Sequence, residues 1–356
     1  MKRTSFLRLL CLMILPVFIW LGLLSCADFE TETVTVGGVQ TDGTVTFSAD
    51  DDTVFAASPH SIMIVGKREI QIYNDKGSRK YYNQTHLNEP EVLANGSYFL
   101  VYDKNGSSCF LFRNEKLLTE LQPEYPVYAA ALDGGGSFAL ITKTYSSASA
   151  VQIYNANGHL ENTVERSDYV IDCRFAAGGK LVLLTLDVQD GEWITGITTY
   201  KSDFSRIIYE KTFRNVYPLQ LSANGNRVAV LCSDGVRVLD KKGKTRLISI
   251  GNVLDDDVVL QSNGRIVLLD DETVITCDAK GNTAEYISPL SAAENAWLCG
   301  DYLFLTQGRT IVRMNLKNGS LITGTASCDF NGIVLKDSAG QVYLTLTSSL
   351  VLYNVE

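Results

Sequence analysis

From about residue 53 to the end, the chain alternates between short apolar runs and polar, glycine-bearing turns, with no amphipathic helical stretch of useful length after residue 30. Two phrases recur. The first is an alternating strand followed by Asn or Asp, two free residues and Gly, as in "IQIYNDKGSR" (70–79), "VQIYNANGHL" (151–160), "VRVLDKKGKT" (236–245) and "VITCDAKGNT" (274–283). In such a turn the acid or amide side chain bonds the backbone at the first position. The Gly then takes φ > 0 and restores the strand twist. "MNLKNG" (314–319) is one residue longer, and "FRNEK" (112–116) and "YKSDFS" (200–205) are degenerate forms.

The second phrase lies some twenty residues upstream of the first. An apolar residue, a Gly-containing turn and a dense apolar strand make up "LANGSYFLVY" (93–102), "LDGGGSFALI" (132–141), "FAAGGKLVLL" (175–184), "LSANGNRVAV" (221–230) and "LQSNGRIVLL" (260–269). The continuous apolar strand predicts burial on both faces, and the alternating strand after it predicts a position nearer an edge. Together the phrases give a unit of four strands, A to D. Eight units fit, their A strands starting near 53, 91, 127, 169, 216, 257, 295 and 328, about 39 residues apart. That spacing is close to the ~40–50 residues of propeller blades. The expected fold is an all-β propeller of eight four-stranded blades, with seven as the alternative count.

The last unit stops at Glu356 without a D strand, while strand-like sequence ("TETVTVGG", "GTVTFSA") precedes the first unit. A ring leaves no open sheet edge when the first strand completes the last blade. Either Thr31–Val36 or Thr44–Ala49 is therefore expected to pair with the strand near Leu350–Tyr353.

Ahead of the repeats, Lys2, Arg3 and Arg8 precede an uncharged run from Leu9 to Ala27, and "DFETE" follows. This charge order directs the bulk of the chain outward across a membrane. The run is 19 residues, roughly 28 Å as a helix and just short of a ~30 Å hydrocarbon core. Its end, "LLSC", resembles the lipobox of bacterial lipoproteins, which implies lipidation at Cys26. A retained spanning helix is the alternative. Residues 1–26 are accordingly expected to be a lipoprotein signal peptide or membrane anchor, 27–43 a linker with a candidate closing strand, and 44–356 a single propeller domain. Both anchors leave the protein membrane-tethered on the extracytoplasmic side.

Setting aside Lys2, Arg3 and Arg8 leaves 28 basic residues against 40 acidic ones. Nucleic acid is thereby excluded as an expected partner, and anionic headgroups would repel this surface. Six cysteines remain after Cys26, widely spaced and each in or beside a strand, which favours buried thiols over disulfides or metal binding. Neither Gly-x-Ser-x-Gly nor His-Glu-x-x-His occurs. No catalytic residue, metal ligand or cofactor site is assigned. The acidic runs Asp50–Asp52, Asp255–Asp257 and Asp270–Glu272 lack calcium-loop spacing and read as solvated turns. Tyr73, Tyr154, Tyr200 and Tyr353 recur at the end of strand C, which points to packing within each blade rather than a glycan-binding stripe.

The short N-terminal anchor and the repeated "Y-N-x-x-G" and "S-x-N-G-x-x-hydrophobic" phrases resemble an uncharacterised, membrane-anchored family of Gram-positive bacteria with a WD40-like or quinoprotein-like propeller. The chain lacks the Gly-His and Trp-Asp signatures of WD40 repeats and the Trp-containing motif of quinone-binding propellers, so no cofactor carries over.

The variable loops carry the functional expectation. The B–C and D–A connections differ widely in sequence and leave from one end of the blades, where binding tends to be built on repeat scaffolds. His86, Tyr145, Trp193 and Glu294 fall on them and form the candidate binding face. Trp193 is placed in a long B–C loop, "DVQDGEWIT". The expected function is a non-catalytic module that binds a protein, peptide or glycan. The alternative is an extracytoplasmic glycan hydrolase or lyase with paired carboxylates at the channel mouth.

Overall fold

The computed structural model describes residues 44–47, 52–74, 76–249, 258–262, 265–269, 273–278, 282–290, 293–326, 329–335, 341–346 and 349–354. The leader with Cys26, the stretch Thr31–Val36, Cys328 and all of the acidic runs except Asp52 lie outside them. Among the described residues, all 32 regular elements are strands, arranged in eight four-stranded antiparallel sheets. Seven sheets take their strands consecutively as A, B, C and D. The A strands begin at Val54, Pro90, Ala129, Tyr169, Pro218, Val258, Asn295 and Gly332, each within a few residues of its expected start.

The eighth blade settles the closure. Its first three strands are Gly332–Leu335, Gln341–Thr345 and Ser349–Asn354, and its outer strand is Thr44–Thr46 from the start of the domain. The register is Thr44↔Val351, Val45↔Leu350 and Thr46↔Ser349. Of the two stretches offered by the sequence, the second makes this pairing, and the count is eight.

Each A strand touches the A strands of both neighbouring blades all the way round, so the A strands surround the centre and the D strands form the outer rim. Between every pair of successive blades lies one cluster of buried apolar side chains, eight in all. Strand B supplies both sides. In blade 2, Val101 packs toward blade 1 while its neighbour Leu100 packs toward blade 3. Burial on both faces is why these strands read as unbroken apolar runs.

Strand C corrects the sequence reading. Its alternation predicts a half-exposed strand, yet Glu69–Asn74 and Ser149–Tyr154 are mostly buried. The polar member, buried in Gln71 and half-buried in Gln152, has partners within its own strand. Gln71 donates to Glu69 and accepts from the Tyr73 hydroxyl, and Gln152 accepts from the Tyr154 hydroxyl at 3.0 Å. The real alternation belongs to strand D, whose pattern in Lys116–Leu121 and Leu160–Arg166 is exposed and half-buried by turns. Tyr73, Tyr154 and Tyr200 are each buried, and Tyr154 stacks on Phe138 of strand B with ring centroids 5.0 Å apart. They are packing residues, as expected.

The turns follow their sequence. Asn155 Oδ1 accepts the amides of Asn157 and His159 at 2.9 and 3.1 Å, and Gly158 sits at φ 77°. Asp240 does the same for Lys242 and Lys244, with Gly243 at φ 76°. Gly243 also lies against the preceding blade, where a Cβ would stand 2.7 Å from the Tyr209 ring. The turn glycine therefore serves both the turn and the approach of adjacent blades. Five cysteines (Cys109, Cys173, Cys232, Cys277 and Cys299) are free and buried, and burial pushes the Cys232 thiol up to about 11.

Candidate functional site: the loop end of blades 3 to 5

Because successive strands run in opposite directions, A–B and C–D turns leave one end of the propeller and B–C and D–A connections the other. His86, Tyr145, Trp193 and Glu294 all fall at the second end. They are not equivalent there.

Tyr145 sits in the blade 3 connection between Phe138–Thr142 and Ser149–Tyr154. Thr144 Oγ1 accepts the amides of Ser146 and Ser147 at 3.3 and 3.2 Å, folding this loop on itself. Tyr145 is left 97% exposed, and its ring meets Tyr125 of the preceding D–A connection edge-on at 5.7 Å.

Trp193 is not in a loop. Blade 4 is built from Tyr169–Ala176, Lys180–Gln189, Glu192–Tyr200 and Ile207–Arg214, and its B and C strands continue as a paired ribbon to Gln189↔Glu192. Only Asp190 and Gly191 turn the chain, both at positive φ (53° and 80°). Asp-Gly between β-forming residues is a strong two-residue hairpin signal, and "QDGEW" carries it. The ribbon pairs Val188 with Trp193 across the strands, 53% and 47% exposed. Glu192 accepts from Arg214 and Asn215, both at 3.1 Å, and so ties the ribbon to strand D. Trp193 meets Tyr217, in the next D–A connection, edge-on at 5.6 Å. Trp193→Ala is expected to cost well under ~1 kcal/mol, the scale of surface substitutions. A melting curve showing the ~3–5 kcal/mol loss of a core aromatic would remove Trp193 from the exposed face.

His86 and Glu294 lie outside this sector. His86 is exposed in the connection between blades 1 and 2. Glu294, between blades 6 and 7, has its carboxylate bonded to the Gly308 amide at 3.0 Å, and its own amide donates to Thr306. Its first duty is to order a turn.

The structure adds residues that periodicity alone did not single out. Among the eight A–B ladders, only those of blades 4 and 5 shift register, at Val170/Asp172 and Pro218/Gln220. The unpaired residues are Ile171 and Leu219, exposed at the start of their A strands. A bulge turns its extra side chain out of the ladder. Tyr169 and Tyr217 each stand two residues before such a position and are exposed as well, and Tyr128, just before the regular A strand of blade 3, is also exposed. Sixteen large apolar side chains are exposed among the described residues. Eight of them belong to this end of blades 3 to 5, and the other eight all lie on D strands at the outer rim.

Among the described residues, the two carboxylates on A strands are engaged. Asp172, on the A strand of blade 4, pairs with Arg174 at 2.8 Å and accepts the Cys173 amide at 2.8 Å. Burial nevertheless pushes its carboxyl up to about 6, with Arg174 opposing. Glu91, on the A strand of blade 2, lies 3.8 Å from Lys104. At the outer side of blade 5, Asp234 grips the nearly buried Arg237, which lies 4.7 Å from the Phe213 ring centroid. Among the described residues, no three His, Cys, Asp or Glu side chains converge as a metal site.

These features define a closed eight-bladed β-propeller whose loop end is apolar over three consecutive blades. The chain belongs to the family of unknown function DUF5711, whose family model matches residues 33–234, more than half of the sequence. Solved structures with the same fold include the WD40 domain of SCAP from fission yeast, at 11% identity and TM-score 0.57, covering 92% of this chain and 95% of that one. A computationally designed protein, Ika8, matches at 12% identity and TM-score 0.57 over 87% and 99% of the two chains. Apo AztD from Citrobacter koseri matches at 11% identity and TM-score 0.56 over 82% and 88%. At such identities the likeness is one of fold alone. No curated protein matches this chain.

Proposed function

We infer that this protein is a non-catalytic interaction module, tethered to a membrane on the extracytoplasmic side, that binds through the B–C and D–A end of blades 3 to 5. The observation that carries the reading is the segregation of exposed apolar side chains described above. Large apolar groups clustered at one place on a soluble surface mark contact sites, whereas scattered ones need no explanation. Tyr and Trp held in edge-on pairs are suited to the task, since little side-chain freedom is lost on contact. Among the described residues, the carboxylates on A strands each face a cation, which works against a general acid/base pair.

The reading is tested by placing a photoreactive amino acid at position 193 or 217, and as a control at 322 on the outer rim of blade 7, in cells that make the protein naturally. Discrete covalent adducts are expected from 193 and 217 and not from 322. Equal labelling from all three, or none from the loop end, would overturn it.

The tether is a separate element of the proposal. It rests on the charge order of residues 2–32 and on the lipobox-like "LLSC". Lipidation predicts a mature protein that begins at Cys26 and carries a diacylglyceryl group, read by mass spectrometry of the membrane-extracted protein. Residues 1–25 still attached would establish a spanning helix instead. A two-chain lipid holds stably where a single chain does not.

A further inference from the structure

We propose that the apolar end of blades 3 to 5 docks a polypeptide segment bearing both large apolar side chains and basic residues. The proposal rests on the module reading and adds the chemistry of the partner.

Three features of the surface lead to it. The floor is mixed aromatic and aliphatic. Tyr169, Trp193 and Tyr217 offer rings, while Ile171, Val188 and Leu219 offer branched alkyl surface. A sugar gains from ring faces and planar hydrogen-bonding groups, and finds neither in Ile, Val and Leu. Apolar side chains of a polypeptide gain from both kinds of surface.

The rim is acidic and partly uncompensated. Asp168, Glu192 and Asp234 each have an arginine, in Arg166, Arg214 and Arg237. Glu124 and Asp190, in these connections, and Asp187, on the B strand of the ribbon, make no ion pair among the described residues. Lys143 is the single basic residue within the described B–C and D–A connections of these blades. A partner's Lys or Arg beside its apolar groups completes this arrangement, because complementary potentials steer approach and reject partners of the same sign. Anionic lipid is disfavoured by the same charges.

The surface is also preformed. Trp193 is braced by Tyr217 from a neighbouring connection. The ribbon is tied down through Glu192, and the two bulges are fixed by the ladders on either side of them. Little ordering cost remains to be met on binding.

The test uses the domain from residue 27 to 356, in which Trp193 and Trp297 are the two tryptophans. A synthetic amphipathic peptide of Lys and Leu, free of aromatic residues, is titrated while tryptophan emission is followed. Its Glu/Leu counterpart and vesicles of neutral and anionic phospholipid are run in parallel. Saturable binding of the Lys/Leu peptide is expected, with an emission shift that vanishes in Trp193→Phe. The affinity should fall at least tenfold in Leu219→Ser and in Ile171→Ser, and stay unchanged in Leu321→Ser on the outer rim. Thermal melts show that each variant is folded. Equal binding of the Glu/Leu peptide, binding to vesicles in place of peptide, or equal losses in Leu219→Ser and Leu321→Ser would each overturn the proposal. Failure of both peptides overturns it too. Should the photoreactive residue at 193 still give adducts, the module reading survives with a partner of different chemistry.

Discussion

A domain shortened to begin at Asp50 is expected to lose about 3–6 kcal/mol of stability and to associate through an open sheet edge. The shortened chain lacks Thr44–Thr46, the outer strand of blade 8, and Phe47 just after it. Val45 and Phe47 are 3% and 7% exposed, packed in the cluster between blades 8 and 1 with Ile62, Ile64, Tyr343 and Leu350. The Phe47 ring meets Phe55 of blade 1 edge-on at 5.2 Å, so one short strand holds the two ends of the chain together. Each such side chain contributes ~1.5–3 kcal/mol on burial, and losing the strand also bares the backbone groups of Ser349, Leu350 and Val351. Denaturant melts and light scattering of chains starting at 27 and at 50 measure both effects. An Asp50 chain that stays monomeric and melts unchanged would show that the ring closes without this strand.

The second large effect concerns Asp172. In the unfolded chain its carboxyl has an ordinary pKa near 4. In the folded chain burial holds it up at about 6, against the pull of Arg174. Folding thus favours the protonated form. The associated stability is full below pH ~4 and is lost as pH rises through 6, amounting to ~2–3 kcal/mol between those limits. Asn mimics the protonated acid and does not ionise. Asp172→Asn should therefore match the wild type near pH 4 and exceed it by up to ~2–3 kcal/mol at pH 8. Urea melts at several pH values read this directly. A variant less stable than wild type at pH 8 would mean that the contact with Arg174 outweighs desolvation.

Much of this fold was legible because its information is local. "NANG" and "DKKG" specify their turns within four residues, so the blades could be counted from the chain. The missing last strand and the surplus first strand accounted for one another. Strand C misled because alternation reports polarity, not exposure. Gln71 and Gln152 are polar, yet their bonds are made inside the blade. The Trp193 ribbon was misplaced for a local reason, since Asp190-Gly191 is a hairpin turn sitting inside what looked like one long loop.

The candidate site was the least legible part. Ile171 and Leu219 look like ordinary strand residues until the ladders on either side show a slip of register. Tyr128, Tyr169 and Tyr217 are separated by some forty residues each, and only the ring brings them to one end. Nothing in the spacing of Trp193 and Tyr217 announces that their rings meet. His86 and Glu294 show the converse. Topology puts them at the correct end, but in other blades, and Glu294 is occupied with the Gly308 amide.

The most direct test of the interaction account is hydroxyl-radical footprinting of the protein in cells that make it naturally, compared with the same protein purified alone. Tyr128, Tyr145, Tyr169, Trp193 and Tyr217 should be protected together in the cell and become reactive on purification. Tyr82 and Leu118, on the outer rim, should react equally in both. Unchanged reactivity at the five aromatic residues, or protection confined to the outer rim, would contradict the claim that this end of blades 3 to 5 is where the protein meets its partner.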